Sequence, residues 1–161
     1  MMEYVELMGR LGESLGIDGL APDAGGYCNI SVDDTVVTFI ERPGRGLLEI
    51  VARICDLPAE NAGQVLKVLM AAMAPGDAAE DFSFFIDELD EGLYLRRTET
   101  LAELDVEGVR RALEKFANAL DDWRAAIGDF QSIQPVVNEA LGDGKGESKS
   151  FGLGEHGFMQ V

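Results

Sequence analysis

Residues 27–58, YCNISVDDTVVTFIERPGRGLLEIVARICDLP, decide how the chain folds. Cys28, Ile30 and Val32 alternate with Tyr27, Asn29 and Ser31, and a period of two places one set on a buried strand face. Asp33-Asp34 reads as a hairpin connection into a second strand, Val36 to Glu41. Pro43-Gly44-Arg45-Gly46 is a strong turn signal, because proline presets one turn dihedral and glycine accepts the left-handed region. A third strand runs from Leu47 to Cys55, with Leu48, Ile50, Ala52 and Ile54 on one face. The stretch is therefore predicted to be a three-stranded antiparallel meander.

Upstream, Tyr4, Leu7, Met8, Leu11 and Leu15 recur at helical spacing and predict a first helix, Glu3 to Leu15, stopped by Gly16. Gly9 and Gly12 weaken it by roughly 1 kcal/mol each relative to alanine, so it needs a surface to lie on. Downstream, Pro58 opens a second helix, Ala59 to Met73, closed by Pro75-Gly76. Its apolar residues cover more than one side, which predicts that some of them meet another chain, the candidates being Val65, Leu66, Leu69, Met70 and Met73. A second hairpin follows: Asp81 to Asp87, an acidic turn through Asp90-Glu91-Gly92, then Leu93 to Arg97.

The third helix, Val106 to Ile127, starts after Asp105, a natural N-cap. Val106, Val109, Leu113, Phe116, Leu120, Trp123 and Ile127 form one stripe at spacings of three and four, suited to packing on the chain's own sheet. From Asp129 the pattern dissolves, with a short helical stretch at most over Gln134 to Leu141. Gly142 to Gly157 is glycine-rich and polar, and Phe158-Met159-Gln160-Val161 forms an apolar tip. The expectation is one domain over residues 1–128 and a flexible tail over 129–161.

Bulk properties narrow the function. A chain of 161 residues supports one hydrophobic core. No run approaches the roughly 18 to 20 apolar residues of a membrane span. The acidic, amphipathic start MMEYVELMGRLGESLG lacks the basic-then-apolar layout of a signal peptide, so a cytoplasmic protein with no membrane insertion is expected. Thirty acidic residues against 13 basic give a net charge of −17. Such a surface repels phosphate backbones, which disfavours nucleic acid, and it steers basic partners inward.

The same residues offer little for chemistry. Cys28 and Cys55, two thiols lacking close spacing, make neither a disulfide framework nor a zinc site and read as buried structural thiols. Asp33-Asp34 and Asp87-Glu88-Asp90-Glu91 do not match the spaced calcium loop and read as solvated turns. The single histidine, His156, lies in the glycine-rich tail, and no nucleophile elbow, P-loop or H-E-x-x-H string occurs. No catalytic residue, cofactor or metal is expected. Carboxylate-only catalysis would require convergent acids in a deep polar pocket.

The element order α-β-β-β-α-β-β-α, an α+β arrangement, resembles the class I type III secretion chaperones, the Tir-chaperone family. Four strings carry the likeness. Tyr27-Cys28-Asn29-Ile30-Ser31-Val32-Asp33 resembles that family's first strand and acidic hairpin. Ile50 to Asp56, followed by Leu57-Pro58, resembles its third strand and entry to the second helix. Val65 to Met73 is similar to its leucine-rich second helix, and Leu104-Asp105 with Phe116 and Trp123 to its last helix. The likeness runs from Glu3 to about Gly128. Met73-Ala74-Pro75 departs from the asparagine often found where that second helix ends, and the tail is longer than a minimal member needs.

What the resemblance implies is a homodimer in a bacterial cytoplasm, with the second helix and neighbouring strands at the interface. Its partner would be a secreted effector protein, whose N-terminal segment wraps around the dimer in extended form without ATP. Candidate effector contacts are Met8, Phe39, Phe84 and Tyr94; methionine suits varied partners because its side chain is unbranched and polarizable. An alternative is a regulatory module of the same fold that sequesters a secretion regulator.

Overall fold

The protein's structure, a computed structural model, describes residues 3–57, 59–72 and 82–141. Its elements are α1 (Tyr4–Leu15), β1 (Tyr27–Val32), β2 (Thr35–Arg42), β3 (Leu47–Asp56), α2 (Ala62–Ala72), β4 (Phe82–Asp87), β5 (Gly92–Thr100) and α3 (Val106–Leu141), with a 3-10 turn at Leu101–Glu103. The five strands form one antiparallel sheet in the order β1-β2-β3-β5-β4. The meander is thus present, and β5 inserts beside β3 so that β1 and β4 become the two edges.

Register defines the buried face. Cys28, Phe39, Ile50, Arg97 and Phe82 lie opposite one another across the five strands, and Ile30, Val37, Ala52, Leu95 and Phe84 form the next row. Directly opposed residues point to the same side of a sheet. Against this face pack Leu7, Met8 and Leu11 of α1, Val65 and Leu69 of α2, and Val109, Phe116, Leu120 and Ile127 of α3, all in one continuous cluster. Truncating any one of its large side chains to alanine would cost about 2–5 kcal/mol.

Two polar devices fix helices on the sheet, and a third caps one of them. The Tyr4 hydroxyl sits 3.0 Å from the Phe39 carbonyl and 3.2 Å from that of Gly26, sharing its proton between β2 and the loop before β1. Burial pushes that phenol well above the ordinary tyrosine range. Arg124 of α3 donates to the carbonyls of Arg53 (2.6 Å) and Ile54 (3.2 Å) and to Thr35 Oγ1 (2.6 Å). Those two carbonyls lie where the β3–β5 register shifts between Arg53 and Cys55, a bulge whose displaced backbone groups need partners. Asp105 caps α3 as expected, its Oδ1 accepting from the Gly108 amide at 2.7 Å.

Some boundaries differ from the sequence reading. α3 continues to Leu141, so the expected domain limit at residue 128 falls inside a helix. Apolar periodicity marks a face to bury, and helix can extend beyond that face. Residues 142–161, the glycine-rich stretch, lie outside the described residues. β5 runs on to Thr100 because it stays paired with β3 as far as Leu47. The Asp33-Asp34 hairpin forms with both residues left-handed, at φ 47° and 64°, the twist that two-residue hairpins favour.

The two glycines of α1 differ in a way their spacing does not reveal. A Cβ on Gly12 would stand 2.6 Å from Leu20 Cβ and 2.8 Å from the Ile17 carbonyl, so this glycine lets residues 17–20 fold back onto the helix. A Cβ on Gly9 would meet nothing nearer than 4.0 Å. Gly9→Ala should therefore raise stability by up to about 1 kcal/mol, the helix-propensity difference. Gly12→Ala should lower it by about 1–3 kcal/mol, the usual cost of overpacking. Urea melts of the two variants check this pair of opposite signs.

Candidate functional site

The residues between those on the buried face point to the other side of the sheet. Tyr27, Ile40, Glu49 and Thr98 share one row; Asn29, Thr38, Val51, Arg96 and Ser83 share the next; Phe85 lies opposite Tyr94. None of these belongs to the core cluster, which takes in all three helices. This outer face therefore carries no helix of the described residues, although it bears Tyr27, Val36, Ile40, Val51, Phe85 and Tyr94. Tyr27 is 44% exposed and Val36 59%.

A shallow cavity of about 440 Å³ runs over the middle of this face. Ile40, Val51, Phe85 and Tyr94 supply apolar surface, Asn29 and Thr38 polar surface, and Asp23, Tyr27, Arg42 and Asp87 complete the lining. Phe85 and Tyr94 stack with centroids 5.2 Å apart and planes 14° from parallel. The Tyr94 hydroxyl donates to Asp90 Oδ2 at 2.6 Å, while Asp90 Oδ1 accepts from the Gly92 amide at 2.8 Å. These bonds hold the Asp90 carboxyl below the ordinary carboxylate range and push the Tyr94 phenol up.

Both acids in the lining are engaged by their own turns. Asp23 Oδ1 accepts from the amides of Gly25 (2.8 Å) and Tyr27 (2.9 Å), and Asp87 Oδ1 from the amide of Leu89 (2.8 Å). The cavity is open and partly apolar, which suits binding. Among the described residues no group of three or more His, Cys, Asp or Glu could hold a metal. No helix among them is long and apolar enough to cross a membrane. Cys28 is buried and Cys55 half-buried, both as free thiols, and burial pushes both thiols up and away from reactivity.

β1 forms the edge of the sheet beside the cavity. Asp23 returns its amide to the Tyr27 carbonyl at 2.8 Å as well as accepting from the Tyr27 amide. Both backbone groups of Tyr27 thus point away from β2, and the two-residue period aims those of Asn29 and Ser31 the same way. Among the described residues no strand pairs with that side of β1.

The sequence candidates are distributed unevenly. Of the effector candidates, Met8 and Phe39 are wholly enclosed in the core, and Phe84 meets Trp123 edge-to-face at 4.8 Å on the inner side. Tyr94 alone lies in the cavity. On α2, Val65 and Leu69 sit in the chain's own core, Leu66 is half-buried and Met70 is 74% exposed. Met73 lies outside the described residues. Sequence reasoning passed over Tyr27, Ile40, Val51 and Phe85, the apolar residues that accompany Tyr94. Their signal was the apolar content at both parities of β2 and β3, which marks strands with something to cover on two sides.

Comparison with known proteins places this geometry. A family model described as the Tir chaperone protein (CesT) family matches residues 6–124. No curated protein matches the chain in sequence. Among solved structures the fold is similar to that of the ExsC–ExsE complex, at 19% identity over 77% of this chain and 96% of that one, with a TM-score of 0.65. It is also similar to the HopA1–SchA chaperone–effector complex, at 18% identity over 74% of this chain and 91% of that one, TM-score 0.61. A third likeness is to the Yersinia pestis type III secretion chaperone SycH bound to a stable fragment of YscM2, at 13% identity over 73% and 97% of the two chains, TM-score 0.58. At these identities the likeness is one of fold.

The Tyr94–Asp90 bond that sets the cavity wall is open to titration. Tyr94→Phe removes the largest cause of the depressed Asp90 pKa, so the carboxyl should move up toward its ordinary 3.8. A carboxyl depressed in the folded state stabilises it above the unfolded pKa, and that contribution is lost as pH falls through the folded value. Carbon-detected NMR titration of wild type and variant measures the displacement; an unmoved Asp90 would show that the bond does not persist in solution.

Proposed function

We propose, from the premise that the chain belongs to the Tir chaperone protein (CesT) family, that it is a type III secretion chaperone. It binds an extended N-terminal segment of an effector protein and keeps that segment soluble and secretion-competent, without ATP and without catalysing a reaction. The observation that carries this reading is a partly apolar sheet face that no described helix covers, beside a strand edge that no described strand pairs. A guest strand can take hydrogen bonds along such an edge and place alternate side chains over the face. Its apolar groups are then occupied, so it neither folds nor aggregates while bound.

Ordering a disordered segment costs free energy that a wide contact must offset, and coupled folding interfaces bury roughly 1,000–3,000 Å². A cavity on one subunit is small beside that area. The chaperone therefore acts as a homodimer, with the guest spanning both subunits. On α2, Val65 and Leu69 hold the helix to its own subunit, and Leu66 and Met70, with Met73 by sequence spacing, meet the second copy. The working compartment is the bacterial cytoplasm. A net charge of −17 draws in guests of opposite sign and raises their association rate at low salt.

Purification from the host with mass spectrometry tests the reading, an exported protein being expected as the copurifying guest. A transcriptional or secretion regulator in its place would favour the regulatory alternative. Light scattering at micromolar concentration should give a dimer, and Met70→Asp should shift it toward monomer. Tyr27→Asp combined with Ile40→Asp should weaken guest affinity at least tenfold, about 1.4 kcal/mol, while the dimer and its melting temperature persist. Full guest affinity in that double variant would overturn the assignment of the outer face.

A further inference from the structure

We infer that this chaperone, on the reading above, holds a carboxylate pocket formed by Arg42, Arg45 and Arg96 around Glu49, which receives one acidic side chain of the guest and sets its register. These residues line a depression of about 360 Å³ at one end of the outer face, and Arg42 is shared with the apolar cavity. The two depressions therefore adjoin, and a segment lying over the apolar cavity ends against the arginines.

The charge balance is local and opposite to that of the whole chain. Three guanidinium groups face one carboxylate here, in a chain whose acids exceed its bases by 17. Glu49 of β3 is 8% exposed and serves as the anchor. Its Oε2 lies 2.7 Å from Arg42 Nη2 on β2, and its Oε1 3.9 Å from Arg96 Nη1 on β5. The bond to Glu49 is the main reason Arg42 is pushed up, so this guanidinium stays charged at every working pH. Arg96 is held further by Ser83 Oγ at 3.0 Å and by the Phe85 ring at 5.7 Å.

Donors remain after these bonds. A guanidinium carries five N–H groups in a planar fork, and Glu49 uses few of those on Arg42 and Arg96. Arg45, exposed at the β2–β3 turn between two left-handed glycines, makes no side-chain hydrogen bond or ion pair with any described residue. Such a fork matches a carboxylate in bidentate geometry, which a lysine cannot do. The wider acidic surface repels a carboxylate elsewhere, so this pocket discriminates among alignments of an otherwise basic guest. Register slippage is the weakness of strand-to-edge binding, and one directed charge pair restrains it.

The test uses the full chain and a defined probe. Arginine Nε–Hε signals are followed by NMR while N-acetyl-aspartate amide is added, with N-acetyl-asparagine amide as the uncharged control. Saturable shifts at Arg42 and Arg45 with the acid and none with the amide are expected. Arg45→Glu should weaken the acid's binding at least about tenfold, as loss of a charge-assisted contact does. Arg96→Gln provides a second variant if the first alters the turn. Equal response to acid and amide, or equal binding in both variants, would overturn the pocket, as would inorganic phosphate displacing the acid at tenfold lower concentration. The two readings fail separately: a chain that copurifies with no guest yet binds the acid loses its chaperone role only, and one that keeps its guest at full affinity in Arg45→Glu loses the pocket only.

Discussion

Among the described residues the sheet is covered on one side only, and most of the molecule's behaviour follows from that constraint. Five twisted strands present two faces, and three helices in a chain of this size are committed to a single cluster against the inner one. The core can be closed because α1, α2 and α3 share it. Tyr4 and Arg124 then tie α1 and α3 to backbone carbonyls of β2 and β3, which fixes both helices on this face. The outer face is left with aromatic and branched residues among polar ones, and no described residue of another element covers it. A partner is the physical answer to such a face, and an extended partner is the one that a strand edge selects.

Electrostatics acts at a longer range than packing and with a different purpose. The acidic surface keeps the chain dispersed and brings a basic segment toward it from a distance of about a Debye length. It cannot determine alignment, because it acts alike on every position of the guest. Alignment needs a local feature of opposite sign, and the arginines about Glu49 supply one at the end of the apolar cavity. Attraction and register are thus assigned to separate parts of one surface.

Much of the architecture was legible in the residues. Alternation in YCNISV, the Asp-Asp and Pro-Gly turns and the long α3 stripe gave element order and the buried set Cys28, Ile30, Leu48, Ile50, Ala52 and Ile54. The binding surface was harder to read for a physical reason. Apolar residues at both parities of a strand say that two faces want cover but do not say which one the chain covers itself. Phe84 and Phe85 are adjacent in FSFFID, and only the pairing with β5 assigns Phe84 to Trp123 and Phe85 to Tyr94. Met8 and Phe39 were attractive as large apolar groups, and the same quality made them core. On α2 the two-sided apolar pattern was visible, whereas the division between Val65 and Leu69 inward and Met70 outward required the helix to be set against the sheet. Gly12 read as a weakness because close approach between distant parts of a chain leaves no trace in local propensity.

The most direct measurement is methyl NMR of the full chain with a soluble paramagnetic probe, before and after its copurified guest is bound. Val36 and Ile40 should lose intensity in the free protein while Ile30 and Val37 do not, and the guest should restore Ile40. A guest that binds tightly and leaves Ile40 as strongly attenuated as before would contradict the account, because the uncovered face would then not be where it is held.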